Sequence, residues 1–204
     1  HFEDTDAKAR YLKEVLRVIG ESEDNATAPA LVARIQKVYE AYFGKTGDYA
    51  KIKHTFNQMM LDIEQSIAER IKQSTQPLRV ALTYARIGNY IDFGAMKEVD
   101  TKVLEEMIYA AEEKLVDERV YEQFTKELTK ARRLVYLVDN CGEVVLDKLA
   151  IQCIKEAYPH LQLTVVVRGS EVLNDVTIED ARETGLDKVA EVLENGTDIA
   201  GTEL

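Results

Sequence analysis

The stretch from Leu134 to Val167 decides the fold. It opens with a continuous apolar run, Leu134-Val-Tyr-Leu-Val138, and closes with a second, Leu161-Gln-Leu-Thr-Val-Val-Val167. Runs of this kind, rich in β-branched residues, are typical of buried parallel strands. Between them, residues 143–158 carry apolar side chains at helical spacing, and Pro159 ends that helix. The stretch therefore predicts a right-handed strand–helix–strand unit with two parallel, neighbouring strands.

The first half of the chain predicts an all-helical region. Apolar residues recur at helical spacing between residues 31 and 42 and again between residues 49 and 71. Further helices are predicted over about residues 6–19, 77–88 and 101–115. We therefore expect two domains, a helical domain over residues 1–105 and an α/β domain over residues 106–204.

The α/β part predicts a Rossmann-like, doubly wound αβα domain with a mainly parallel sheet. A short helix is predicted over residues 178–184, and residues 189–193 suit either a short strand or a helix. The sheet that these elements form is incomplete, and the chain starts at His1 without a methionine. We therefore expect a fragment, truncated at its C-terminus, whose last strands lie beyond Leu204.

The composition excludes several classes of protein. The 204 residues carry a formal net charge of −11, whereas sequence-tolerant nucleic-acid binding needs Lys and Arg to neutralise phosphates. No window approaches the roughly 18 consecutive apolar residues of a membrane span. Two cysteines do not make a disulfide scaffold, and the N-terminus has no signal peptide. We expect a cytoplasmic protein with neither nucleic-acid nor membrane partners.

The acidic charge is concentrated in the last part of the chain. From Glu171 to Leu204 there are ten acidic residues, opposed only by Arg182 and Lys188. Such a segment is either a solvated helix face or a source of one or two carboxylates that bind a cation.

Polar clusters follow both predicted strands. The first strand is followed by Asp139-Asn140-Cys141-Gly142-Glu143, and the second by Arg168-Gly169 with Asn174-Asp175 shortly after. Parallel neighbours bring these clusters to the same edge of the sheet, where open α/β sheets bind ligands. Carboxylate and amide oxygens suit Mg²⁺ or Mn²⁺ better than structural zinc. The alternative for each cluster is local structure, with Asp139 as a helix cap and Asn-Asp as a turn.

The same edge has features that favour phosphate binding. Gly142 lets a ligand approach the backbone at the start of the following helix, where free N–H groups attract anions. Arg168 adds a possible bidentate contact to phosphate. These residues predict a site that favours an anion such as phosphate.

Three ordered motifs resemble those of the damage-control phosphatases, metal-dependent enzymes with an ARMT-like domain that were formerly grouped as a domain of unknown function. Asp139-Asn-Cys-Gly-Glu143 with Asp147 resembles the family's Asp-Asn-x-Gly-Glu-x3-Asp signature. The segment from Arg168 to Thr177 with Asp180 resembles its Arg-Gly-x-Pro-x-x-Asn-Asp-x-Thr segment, and Gly88-Asn-Tyr-Ile-Asp92-Phe-Gly94 its Gly-Asn-x-Ile-Asp-Phe-Gly motif.

The resemblance implies an enzyme that hydrolyses small phosphate monoesters, including sugar phosphates and phosphopantetheine-like metabolites. Carried over residue by residue, the metal ligands are Asp139, Asn140 and Asp175, and the metal is Mn²⁺, Mg²⁺, Co²⁺ or Ni²⁺. Either Glu143 or Asp180 is the general acid/base. The residues expected to bind the substrate or its phosphate are Gly142, Arg168, Asn174, Asn89 and Asp92. For Asn89 and Asp92 the alternative is a helix terminus and a turn.

The sequence departs from the family pattern at several points. Cys141 stands where alanine is common, and Glu171 where proline is common. We expect Cys141 to be a small buried residue rather than a nucleophile, because no partnered histidine is evident. The family's Cys-x-x-Cys and its downstream Lys-Gly-x-Gly-Asn segment are missing, which implies either truncation or compromised activity.

Two other functions stay open. A carboxyl methyltransferase using S-adenosylmethionine needs a glycine-rich loop after the first strand, and this loop has Gly142 alone. A non-enzymatic module that binds a metabolite or partner would fold and bind without Asp139 or Asp175. Within the phosphatase hypothesis, an aspartyl-phosphate route through Asp139 is disfavoured, because Cys141 occupies the position of the second aspartate of an Asp-x-Asp motif.

Overall fold

The structure, a computed structural model, describes residues 5–44, 49–89, 101–197 and 199. The helices are α1 (Thr5–Gly20), α2 (Ala28–Phe43), α3 (Tyr49–Gln73), α4 (Pro77–Gly88), α5 (Thr101–Ala110), α6 (Glu118–Lys130), α7 (Glu143–Ala157) and α8 (Ile178–Glu183). Short 3₁₀ turns cover Ala111–Lys114 and Leu186–Lys188. The strands are β1 (Arg133–Leu137), β2 (Gln162–Val167) and β3 (Glu191–Glu194).

Local signals in the sequence explain where the helices begin. The hydroxyl oxygen of Thr27 accepts the N–H of Ala30 at 3.4 Å and caps α2. The carboxylate of Asp117 accepts the N–H groups of Arg119 and Val120 and caps α6, and Pro77 occupies the first turn of α4. Such caps satisfy backbone donors that have no partner inside the helix.

The three strands form a parallel sheet in the order β1-β2-β3. Val135 pairs with Thr164, and Val165 pairs with Val192. The predicted strand–helix–strand unit is therefore confirmed. Residues 189–193 suited either a short strand or a helix, and residues 191–193 of that stretch lie in the third strand, Glu191–Glu194.

The sheet presents different faces to α7 and to solvent. Tyr136 and its register partner Val165 face α7, since the Tyr136 hydroxyl donates to Asp147 on that helix at 2.6 Å. On the opposite face Val135 and Leu137 are 60% and 57% exposed. Among the described residues, helices cover one face of the sheet, so the second helical layer of a doubly wound fold stays a prediction.

The hydrophobic core is continuous between the helical and the α/β parts. One cluster of buried side chains includes Met60 and Ile67 of α3 together with Leu146 and Ile151 of α7. A Cβ on Gly88 of α4 would lie 3.1 Å from Cδ1 of Leu146, so α4 and α7 pack closely. The predicted boundary near residue 105 stays a prediction. None of the described helices combines the length and the apolar character needed to cross a bilayer.

Candidate functional site

Two loop segments meet at the carboxyl edge of the sheet. The backbone N–H of Val176 donates to the carbonyl of Asp139 at 2.8 Å, and that of Cys141 to the carbonyl of Asn174 at 2.8 Å. Between these bonds, Asn140 and Asp175 form an isolated antiparallel bridge. The loop after β1 and the segment after β2 are therefore held side by side, as the parallel strands predicted.

Arg168 lies between the two carboxylates predicted to bind metal. Its Nε is 2.5 Å from Oδ2 of Asp175 and its Nη2 is 3.6 Å from Oδ1 of Asp139. The side chains of Arg168 and Asp175 are 8% and 7% exposed, whereas that of Asp139 is 46% exposed. The guanidinium therefore offsets the charge of the two carboxylates at this edge. The sequence predicted phosphate binding for Arg168 and did not predict these ion pairs.

Glu143 is held by two amide side chains. The Asn140 Nδ2 donates to Oδ2 of Asp139 at 3.0 Å and to Oε2 of Glu143 at 3.2 Å. The Asn89 Nδ2 lies 3.3 Å from both carboxylate oxygens of Glu143. Burial raises the pKa of Glu143 although the amides oppose it, and the charge of Asp139 raises it further. Asn89, the residue that follows α4, thus lies beside Glu143, and its predicted role in substrate binding stays a prediction.

Gly142 adopts a positive φ of 85° at the N-cap of α7, a backbone conformation that favours glycine. Its N–H donates to Oδ1 of Asn57, on α3, at 2.9 Å. The amide that the sequence suggested for phosphate binding is therefore paired with a side chain of the protein.

The carboxylate of Asp180 is bound by Thr177 and Lys53. Its Oδ2 accepts the Thr177 hydroxyl at 2.7 Å and the Thr177 N–H at 2.8 Å, and the second bond belongs to a capping box at the start of α8 in which the Thr177 side chain accepts the Asp180 N–H in return. Lys53 Nζ lies 2.6 Å from the same oxygen. Burial raises the pKa of Asp180, but the bonds from Lys53 and Thr177 outweigh it and the pKa is lowered. The carboxylate is therefore ionised and engaged, which suits a positioning role better than acid/base exchange.

The other residues singled out from the sequence are Asn174, Asp92 and Cys141. Asn174 contributes its backbone carbonyl to the bond with Cys141, next to Leu173, whose φ of 48° lies in the left-handed region. Asp92 lies outside the described residues. Cys141 is fully buried, and burial raises the pKa of its thiol, in agreement with the expected role as a small core residue.

Sequence reasoning missed Lys53 and Asn57, which are 1% and 0% exposed. Both lie on the buried face of α3, together with Phe56 and Met60. Their signal in the sequence is a polar pair, spaced i and i+4, inside an apolar helical stripe. A buried lysine or asparagine needs partners, and here they are Gly142 and Glu171 in the loops of the candidate site and Asp180 and Glu183 in α8.

The donor set at the sheet edge fits a divalent cation that prefers oxygen. Oδ1 of Asp139 and Oδ2 of Asp175 converge on one guanidinium, and the amide group of Asn140 lies next to Asp139, to which its Nδ2 donates. Hard oxygen ligands of this kind suit Mg²⁺ or Mn²⁺. In the described ranges no three His, Cys, Asp or Glu side chains are grouped to hold a metal, and the predicted ligand set of Asp139, Asn140 and Asp175 stays a prediction.

Relatives of the chain include damage-control phosphatases. One from Archaeoglobus fulgidus is 33% identical over 205 residues, an alignment that covers 98% of this chain and 69% of the relative. One from Pyrococcus horikoshii is 25% identical over 208 residues, with 99% of this chain and 69% of the relative covered. An uncharacterized protein from Methanocaldococcus jannaschii is 27% identical, with 94% of this chain and 64% of the relative covered. The chain thus spans about two thirds of these relatives.

The fold has a counterpart of known structure. The crystal structure of a DUF89 family protein from Pyrococcus horikoshii matches with a TM-score of 0.78 and 24% sequence identity, covering 98% of this chain and 68% of the other. At this identity the likeness shows the fold. The family model for the damage-control phosphatase ARMT1-like domain matches residues 1–204, and the chain therefore belongs to the damage-control phosphatase ARMT1-like family.

Proposed function

We propose that the chain is a divalent-metal-dependent phosphatase whose metal ligands are Asp139, Asn140 and Asp175. The observation that carries this proposal is the pairing of the two loop segments, because it brings both carboxylates to one guanidinium. Family membership supports the phosphatase role. The metals proposed are Mn²⁺, Mg²⁺, Co²⁺ and Ni²⁺.

The chemistry of the site follows from its side chains. A bound divalent cation would polarise a phosphoryl oxygen and lower the pKa of a water molecule. The Nδ2 of Asn140 donates hydrogen bonds to Glu143 and Asp139. The side-chain oxygen of Asn140 is therefore the atom that we propose as the neutral metal ligand. Arg168 fixes the carboxylate of Asp175, so that this ligand needs little reorganisation when substrate binds.

Glu143 is our choice for the general acid/base. Its carboxylate accepts hydrogen bonds only from neutral amides in the described contacts, so either protonation state is accessible to it. Asp180, the other candidate, forms an ion pair with Lys53 and caps α8. We therefore assign proton transfer to Oε1 or Oε2 of Glu143 and a positioning role to Asp180.

The proposed substrates are small phosphate monoesters. The relatives are named damage-control phosphatases, which favours damaged or surplus phosphometabolites such as sugar phosphates or phosphopantetheine-like compounds. Asn89 reaches the site from α4 through Glu143, and we propose that it lines the substrate pocket together with Asn174. The loop after β1 gives no specific support to a methyltransferase, because its single glycine, Gly142, is bound to Asn57.

The test is hydrolysis of p-nitrophenyl phosphate with each of the four metals in turn, repeated with EDTA. We expect activity with at least one metal and its loss on chelation. The release of phosphate from a panel of sugar phosphates and phosphopantetheine then identifies the substrate class. A folded protein that is inactive with every metal would contradict the proposal.

A further inference from the structure

Helix α3 brings two buried polar side chains to the segments that carry the proposed metal ligands. Lys53 Nζ lies 2.6 Å from Asp180 Oδ2 and 3.0 Å from Glu171 Oε2, in the segment after β2. One helical turn later, Oδ1 of Asn57 accepts the N–H of Gly142, in the loop after β1. The helical part of the chain therefore contacts both ligand-bearing segments through one face of one helix.

The Asn57 side chain is fixed at both ends. Its Nδ2 donates to Oε2 of Glu183 at 2.9 Å and approaches Oδ1 of Asp180 at 3.5 Å. These contacts determine which end of the amide faces Gly142, so that the oxygen is the atom presented to the Gly142 N–H. Asn57 is 0% exposed, and at that depth water does not compete for the bond.

The bond acts on the backbone next to the proposed ligands. Gly142 follows Asn140 by two residues and has a φ of 85°. Asn140 is also tied to the partner segment through its bridge with Asp175. The side-chain oxygen of Asn57 on α3 holds the Gly142 N–H. It therefore fixes the path of the backbone from Asp139 to α7, and with it the orientation of the proposed ligands Asp139 and Asn140.

We propose that Asn57 is a positioning residue of the metal site, which sets the geometry of Asp139 and Asn140 by holding the Gly142 amide. The inference rests on the proposed metal ligands. It adds to the site a side chain that is 85 residues from Gly142 in the sequence. Residues that orient metal ligands without touching the metal typically contribute a factor of about 10 to 100 in affinity.

The test measures Mn²⁺ affinity by the electron paramagnetic resonance signal of the free ion, which does not depend on catalysis. Asn57→Leu removes the acceptor at similar size. Lys148→Met is the matched control: Lys148 is buried, and its Nζ bonds Glu64 of α3 at 2.7 Å and the Thr184 carbonyl at 2.5 Å. It touches neither ligand-bearing loop.

We expect Asn57→Leu to weaken Mn²⁺ binding about tenfold or more, whereas Lys148→Met stays within about threefold of the parent chain despite lower stability. If Asn57→Leu is not recovered folded, Asn57→Ser replaces it, because a serine oxygen is too short to reach Gly142. Unchanged affinity in the Leu or Ser variant would overturn the inference while leaving the metal site intact. If the parent chain does not bind Mn²⁺, isothermal titration calorimetry repeats the comparison with Mg²⁺, Co²⁺ and Ni²⁺, and a parent chain that binds none of the four metals would contradict both the inference and the proposed function.

Discussion

The guanidinium of Arg168 donates from Nε to Oδ2 of Asp175 over 2.5 Å, and both side chains are more than nine-tenths buried. The same guanidinium lies 3.6 Å from Oδ1 of Asp139. One cation therefore offsets the charge of two carboxylates that would otherwise repel each other. This relationship explains how the fold holds two carboxylates close together at the edge of the sheet.

The Arg168–Asp175 pair predicts a specific stability pattern. Arg168→Met should lower the free energy of unfolding by about 3 kcal/mol or more in EDTA, because it leaves a buried carboxylate without its partner. Adding Asp175→Asn to that variant should recover part of the loss. Urea unfolding followed by circular dichroism measures both effects, with the exposed Arg133→Met as control. Strictly additive losses would show that the two side chains are not coupled.

Asp147 predicts a pH dependence of stability. Burial, with the charge of Glu143, raises its pKa to about 8, against a smaller opposing effect of the Tyr136 hydrogen bond. The folded chain then holds a proton that the unfolded chain releases near pH 4, so this contribution to stability falls as pH rises from about 4 to 8.

Asp147→Asn removes that titration while keeping an acceptor for Tyr136. Between pH 5 and 8 in EDTA, we expect the parent chain to lose at least about 2 kcal/mol more stability than the variant. Urea titrations at each pH measure the difference. The exposed Asp187→Asn should follow the parent chain. Parallel curves for the parent and Asp147→Asn would rule out a raised pKa.

Gly169 predicts a steric effect at the end of β2. A Cβ there would lie 2.9 Å from three backbone atoms of Gly196, in the turn whose Asn195 Oδ1 accepts the Gly169 N–H at 3.0 Å. Because backbone must shift, Gly169→Ala should cost about 1 to 3 kcal/mol. Gly20→Ala, with nothing within 4 Å of the new Cβ, should be neutral or slightly stabilising. Equal melting temperatures for the two variants would contradict the close approach.

A substitution of Glu143 should reduce catalysis without changing metal binding. Glu143→Gln keeps the size of the side chain and removes its proton exchange, so the turnover number should fall about 100-fold or more while Mn²⁺ affinity changes little. Asp180→Asn should act mainly through stability, because it weakens the ion pair with Lys53. Steady-state kinetics and Mn²⁺ titration of both variants test the assignment. A larger loss of turnover in folded Asp180→Asn than in Glu143→Gln would reverse it.

The parts of the fold that depend on local pattern could be predicted from the sequence. The apolar runs at residues 134–138 and 161–167 gave two parallel strands, and their shared edge brought Asp139 and Asp175 together. The contacts of Arg168 and Gly142 were not predictable in the same way. Asn57 meets Gly142 across 85 residues of sequence, and such a pairing depends on how α3 packs against α7, which no local spacing encodes.

The central claim is tested most directly by a paired measurement of Mn²⁺ binding and phosphate release. The chosen variants are Asp175→Ala and, from the same acidic segment, the exposed Asp187→Ala. We predict that the parent chain and Asp187→Ala bind Mn²⁺ and release phosphate from p-nitrophenyl phosphate in an EDTA-sensitive way, and that folded Asp175→Ala loses both by about 100-fold or more, because it removes an anionic metal ligand. Equal Mn²⁺ affinity and activity in Asp175→Ala and Asp187→Ala would contradict the account.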